Sequence, residues 1–144
     1  ARRAIDELVA LAAVKAPQGS SRPLAERAPV QADVAAAEAM VRSAKSFLED
    51  VVDDAWTTVV AGDVPSDEQR RSIRLAAPHA TAESARAVDL MYTVGGGAAI
   101  YDDSALQRVF RDVHVATQHA MVAERTLEPL GRMALGLPTD ASQL

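Results

Sequence analysis

Small and apolar residues recur three and four apart at Val34, Ala37, Val41, Ala44, Leu48, Val51 and Ala55, inside a stretch from about Val30 to Ala61 that holds no proline or glycine. This spacing is a heptad seam and predicts one long helix. Alanine at alternate seam positions lets a neighbouring helix come close, and crossings of about 20° follow when such seams pack. The same periodicity appears at Ile5, Leu8, Val9 and Ala12, predicting a first helix over residues 1–15 that Pro17, Gly19 and Pro23 end.

Gly62 closes the long helix, and Ser66 with Gln69 after Pro65 has the form of a capping box for a third. That helix is predicted to run to about Val94, with a stripe of Ile73, Ala77, Ala80, Ala87, Met91 and Val94. Pro78 removes one backbone donor inside it and predicts a bend near Ala77 rather than a division into two helices. Gly95, Gly96 and Gly97 end it, and three glycines in a row exceed what a helix stop requires. A final helix is predicted from near Ser104, burying Leu106, Val109, Phe110, Val113, Thr117 and Ala120. Pro129 and Gly131 predict a break before a last turn around Met133 to Leu137.

No stretch alternates apolar and polar residues between turn residues, so the fold class read from the pattern is all-α, an up-and-down four-helix bundle. The domain is assigned to residues 1–138, and residues 139–144 read as a loose tail. The chain opens on alanine with the pattern already running, which reads as a segment entered in mid-protein.

A length of 144 residues suits one core. Fifteen Lys and Arg against 20 Asp and Glu give a net charge of −5, and the basic residues are scattered apart from Arg70, Arg71 and Arg74, which argues against a nucleic-acid partner. No apolar run approaches the ~20 residues a bilayer requires, so no membrane partner is expected. The absence of cysteine removes disulfides, thiolate metal sites and a cysteine nucleophile, and a cytoplasmic setting fits. Three histidines without a Glu-x-x-His pair leave no metal site.

On an ideal helix Arg108, Asp112 and His119 fall within about 40° of one another, opposite Leu106, Phe110 and Val113. Two readings stand. The stripe is a solvated ladder, with Arg108 and Asp112 paired at four residues' spacing. Alternatively, the face docks on another domain and presents His119, whose imidazole can exchange a proton near neutral pH, to a pocket. The Ser20-Ser21-Arg22 loop and the glycine run can each offer donors to phosphate oxygens. Singly, each is also an ordinary turn or a helix cap.

Together, Ser20-Ser-Arg-Pro-Leu-Ala-Glu-Arg with Gln31, Ala87-Val-Asp-Leu leading to Gly95-Gly-Gly, and Leu106-Gln-Arg-Val-Phe-Arg-Asp with Gln118-His119 resemble the C-terminal helical domain of the acyl-CoA dehydrogenase superfamily. The resemblance covers nearly the whole chain. It implies that an N-terminal helical domain and a middle β domain come first, and that a flavin lies between subunits of a homotetramer. By position, Ser21 and Arg22 look like flavin-phosphate contacts, and Gly96 and Gly97 look like the turn that reaches the cofactor of a neighbouring subunit. Main-type dehydrogenases carry a proton-abstracting glutamate near Ala120, and this chain has Gln118, His119 and Ala120 there. Their Arg-x-x-Phe-Gly loop is replaced as well. These departures resemble the flavin-dependent monooxygenase branch, in which a reductase partner supplies reduced FAD or FMN, a histidine at the position of His119 serves the oxygen chemistry, and substrates are aromatic or polycyclic. An acyl-CoA dehydrogenase whose base lies elsewhere, and a purely structural oligomerisation bundle, are the alternatives.

Overall fold

The computed structural model describes residues 1–140 and 144. Among the described residues five α-helices follow one another: α1 (Arg2–Val14), α2 (Ala28–Val60), α3 (Asp67–Gly95), α4 (Ala105–Thr117) and α5 (Leu127–Ala134). No strand occurs among the described residues. The tail expected after Pro138 falls partly on residues 141–143, outside the described residues.

Neighbours across the helices fix their directions. Arg2 at the start of α1 pairs with Glu38 of α2, while Ala12 near the end of α1 packs with Val30 at the start of α2, so the two run oppositely. Gln69 in the first turn of α3 donates to Asp54 and Thr58 near the end of α2, closing an antiparallel hairpin. Helix α4 returns along α3, with Leu106 beside Gly95 at one end and His114 beside Asp89 in the middle. α1 to α4 are therefore the predicted up-and-down bundle.

The seam of α2 is realised as read. Ala37, Ala44, Val51 and Ala55 are buried, and Val34, Val41 and Leu48 are half-buried. The core beneath joins Ala4, Ile5 and Leu8 of α1, Ala37 of α2, Ala87, Val88 and Met91 of α3, and Leu106 of α4. Leu8, Val88 and Met91 are the largest fully buried side chains, so small residues elsewhere allow the close approach these three fill. Trp56 lies outside this core, 65% exposed.

The capping box forms in full, with Ser66 Oγ accepting from the Gln69 N–H at 3.2 Å and Gln69 Oε1 accepting from the Ser66 N–H at 2.9 Å. α3 passes through buried Pro78 without interruption, as one helix.

Two boundaries differ from the sequence reading. The fourth helix stops at Thr117, so Ala120 is exposed in a turn and not part of the buried stripe. The Thr117 hydroxyl donates to the His114 carbonyl at 2.8 Å, the acceptor a continuing helix would give to Gln118. Gln118 and His119 N–H groups turn instead to Val115 and Ala116, three residues back. The chain then begins α5 before Pro129 rather than breaking there. Proline at the third helical position costs no hydrogen bond, because first-turn N–H groups have no intrahelical acceptor. α5 buries Leu130 and packs on α3, adding a fifth helix to the four predicted.

Candidate functional site

The glycine turn is assembled by packing. Gly95 ends α3 and is buried, and a methyl group placed on it would lie 2.9 Å from Leu106 Cδ1 and 3.2 Å from Ala99 Cβ. Only a residue without a side chain lets α3 and α4 meet this closely. Gly96 follows at φ 54°, ψ −142°, a backbone conformation that residues with a Cβ avoid. Gly96 and Gly97 are exposed, and beyond Gly97 there is open space.

The first interhelical loop comes to the same end of the bundle. Lys15, just past α1, donates through Nζ to the Gly95 carbonyl, while its own carbonyl accepts the Leu24 N–H at 2.8 Å. Leu24 is buried with Ala12, Val30 and Val94. Ser21 and Arg22 precede it and are exposed. The Arg22 N–H bonds Ser20 Oγ at 3.1 Å, and its guanidinium lies 3.3 Å from Glu26. The loop and the glycine turn are thus neighbours bridged by Lys15, a residue that sequence reasoning passed over. Its spacing to Gly95, 80 residues away, carries no local signal.

His119 is elsewhere. It lies beyond the end of α4, not on it, so the helical stripe with Arg108 and Asp112 does not extend to His119. Arg108 and Asp112 stand exposed on α4. A depression of about 530 Å³ beside this turn is lined by Thr81 of α3, Thr117, Gln118 and Glu124, which puts His119 near the level of Thr81. Thr81 and Gly95 are fourteen residues apart on α3, so at 1.5 Å per residue about 20 Å separates His119 from the glycine turn within one chain.

The imidazole of His119 is exposed, and its surroundings are local. The His119 backbone N–H donates to the Ala116 carbonyl at 3.1 Å, the His119 backbone carbonyl accepts the Val122 and Ala123 N–H groups at 3.0 Å, and the ring Nδ1 accepts the Met121 N–H at 3.3 Å. Arg74 of α3 reaches the turn through Met121 Sδ, 3.7 Å away.

A second histidine was not singled out by its sequence. His114 Nε2 is 2.8 Å from Asp89 Oδ1, and its ring meets Phe110 edge-on at 4.5 Å, while Phe110 stacks on Tyr92 at 4.3 Å. The pair ties α4 to α3 across 25 residues, a juxtaposition that helical spacing along one element cannot reveal.

The glycine end gathers two cations, each already bonded within the chain, two serine hydroxyls and an open glycine backbone, groups of the kind that donate to phosphate oxygens. No group of three acidic, histidine or cysteine side chains able to hold a metal ion occurs among the described residues. No helix among them is long and apolar enough to cross a membrane.

The family described as "Acyl-CoA dehydrogenase, C-terminal domain" matches residues 1–124. An indole-3-acetate monooxygenase from Pseudomonas putida is 35% identical over 136 residues, 94% of this chain and 35% of its own length. Its counterpart from Acinetobacter baumannii is 33% identical over 137 residues, 95% of this chain and again 35% of its own length. Among solved structures, a 3-HSA hydroxylase from Rhodococcus sp. superposes with a TM-score of 0.83 at 25% identity, over 98% of this chain and 35% of that one. XiaF from Streptomyces sp., solved with FADH2 and glycerol, shares the fold at a TM-score of 0.86 and 19% identity, over 95% of this chain and 35% of that one. The chain spans about a third of the length of the curated relatives it matches.

Proposed function

This chain belongs to the acyl-CoA dehydrogenase C-terminal domain family, and from that we propose that residues 1–138 form the flavin-facing helical domain of a two-component monooxygenase that hydroxylates an aromatic or polycyclic substrate. The observation that carries the reading is the end of α4, where an exposed imidazole at His119 stands beside Ala120 with no carboxylate at either position. A dehydrogenase needs a carboxylate there to remove a carbon-bound proton, whereas an imidazole suits proton exchange with oxygen atoms. The names of the two bacterial relatives, both indole-3-acetate monooxygenases, agree in reaction class.

In this reading a reduced flavin, FAD or FMN, delivered by a reductase partner supplies the electrons for oxygen activation. The chain's own residues bind and orient. Arg22 leaves Glu26 to grip phosphate oxygens in a planar fork, Ser21 adds a hydroxyl donor, and Gly96 and Gly97 let backbone N–H groups approach closely. His119 holds and moves a proton at the substrate oxygen. Because about 20 Å separates His119 from the glycine turn along α3, the two are taken to serve different flavins of a homotetramer, each site drawing its glycine turn from a neighbouring copy. Domains preceding this one supply the remaining walls, and the reaction takes place in the cytoplasm.

The test uses the full-length protein with reduced flavin, labelled oxygen and an aromatic acid such as indole-3-acetate. Incorporation of one labelled oxygen atom into product supports the reading. Bleaching of oxidised flavin by an acyl-CoA without oxygen, and no labelled product, sinks it in favour of a dehydrogenase. If His119→Ala leaves turnover intact, His119 has no catalytic role and the reading of the domain as an oligomerisation bundle gains.

A further inference from the structure

The geometry points to a positioning device inside the turn after α4: the Met121 backbone N–H selects the neutral tautomer of His119 that keeps its proton on Nε2. The inference rests on the proposed role of His119 only for its consequence, not for its geometry. Nδ1 of the ring lies 3.3 Å from the Met121 nitrogen, which can only donate. An acceptor at Nδ1 must have its lone pair free, so in the neutral ring the proton resides on Nε2. The backbone of the same residue is also tied down, its N–H to Ala116 and its carbonyl to both Val122 and Ala123. Every one of these partners lies within four residues. The ring's tautomer and direction are therefore encoded in residues 116–123 and do not depend on what packs around the turn.

The chemical consequence is a sense of direction. Such a ring meets its ligand as a hydrogen-bond donor through Nε2, suited to an oxygen atom that carries or gains negative charge. To accept a proton at its free edge it must first become the other tautomer and give up the Met121 bond. The side chain of Met121 is separable from this role, since the bond to His119 comes from its backbone N–H while its sulfur meets Arg74 across the turn.

Nitrogen NMR of full-length protein labelled with 15N at histidine tests it, with His119→Gln used to assign the signals. The expected spectrum, taken where the ring is neutral, has the proton on Nε2 and an unprotonated, hydrogen-bonded Nδ1. Met121→Pro removes the N–H, and the two ring signals should move toward each other as the second tautomer fills. Met121→Ala keeps the N–H and should leave both where they were. A wild-type ring with its proton on Nδ1 overturns the inference, as does a change in Met121→Ala that equals that in Met121→Pro. If Met121→Pro does not fold, the wild-type and Met121→Ala spectra still decide. Intact turnover in His119→Ala would remove the catalytic role while leaving the tautomer result standing, so the two failures are distinct.

Discussion

At the junction of α3 and α4, Gly95 is pressed against Leu106 and Ala99, and Lys15 arrives from α1 to bond its carbonyl. Just past the far end of α4, the backbone and ring bonds of His119 run to partners within four residues, and the side chain stands in the open. The first region takes its shape from elements distant in sequence, so it is stable only if the bundle is. The second carries its shape with it and hangs from the bundle's edge. In the proposed reading, a proton-handling group is thereby exposed and exchangeable without loosening the core, while the surface proposed to accept the cofactor is held by the core itself.

The comparison breaks most visibly with His119→Ala in the full-length enzyme. Turnover should fall roughly 10²–10⁴-fold, as for loss of a general acid or base, while thermal unfolding moves by no more than about 0.5 kcal/mol, as for a surface substitution. Leu106→Ala, at the opposite end, should do the reverse. Its side chain is 3% exposed, so denaturant titration should show a loss of about 2–5 kcal/mol. Gly95→Ala sharpens the packing argument: a methyl at 3.2 Å from the fixed Ala99 Cβ should cost about 1–3 kcal/mol, despite the better helix propensity of alanine. A neutral or stabilising result would mean that the junction is looser than its contacts.

The smallest effect is with pH. The hydrogen bond from Arg2 holds the Glu38 carboxyl below its ordinary value of 4.5. A depressed carboxylate contributes stability above its unfolded value and loses it as pH falls through the lower folded value. Stability followed from pH 6 downward should therefore decline less steeply in Glu38→Gln than in the parent.

How much of this was legible differs between the two ends for the same reason. The seam from Val34 to Ala55, the capping box at Ser66 and the stop at Gly95 are local patterns with a fixed period or a fixed partner three residues on, and each is found in the fold. The end of α4 is not legible, because Thr117 falls on the stripe like one more helical residue. Its hydroxyl competing for the His114 carbonyl shows only in three dimensions. Pro129 misled in the opposite way, since a proline signals a break or a beginning according to where the preceding turn ends. Lys15 and the His114–Asp89 pair join elements far apart in sequence, and no spacing along one helix predicts them. The pattern on α4 and the family resemblance both point to His119, whereas the turn that orients it is visible only in three dimensions.

Lys15 fastens two segments with two different groups, the loop after α1 with its carbonyl and the glycine turn with its ammonium. A yoke of this kind makes the pair open together. In native-state hydrogen exchange, the Leu24 amide and the Ala99 amide, which bonds the Gly96 carbonyl at 2.8 Å, should then report one shared opening event. Cutting the ammonium away with Lys15→Met should give them separate rates, turning one cooperative unit at the glycine end into two.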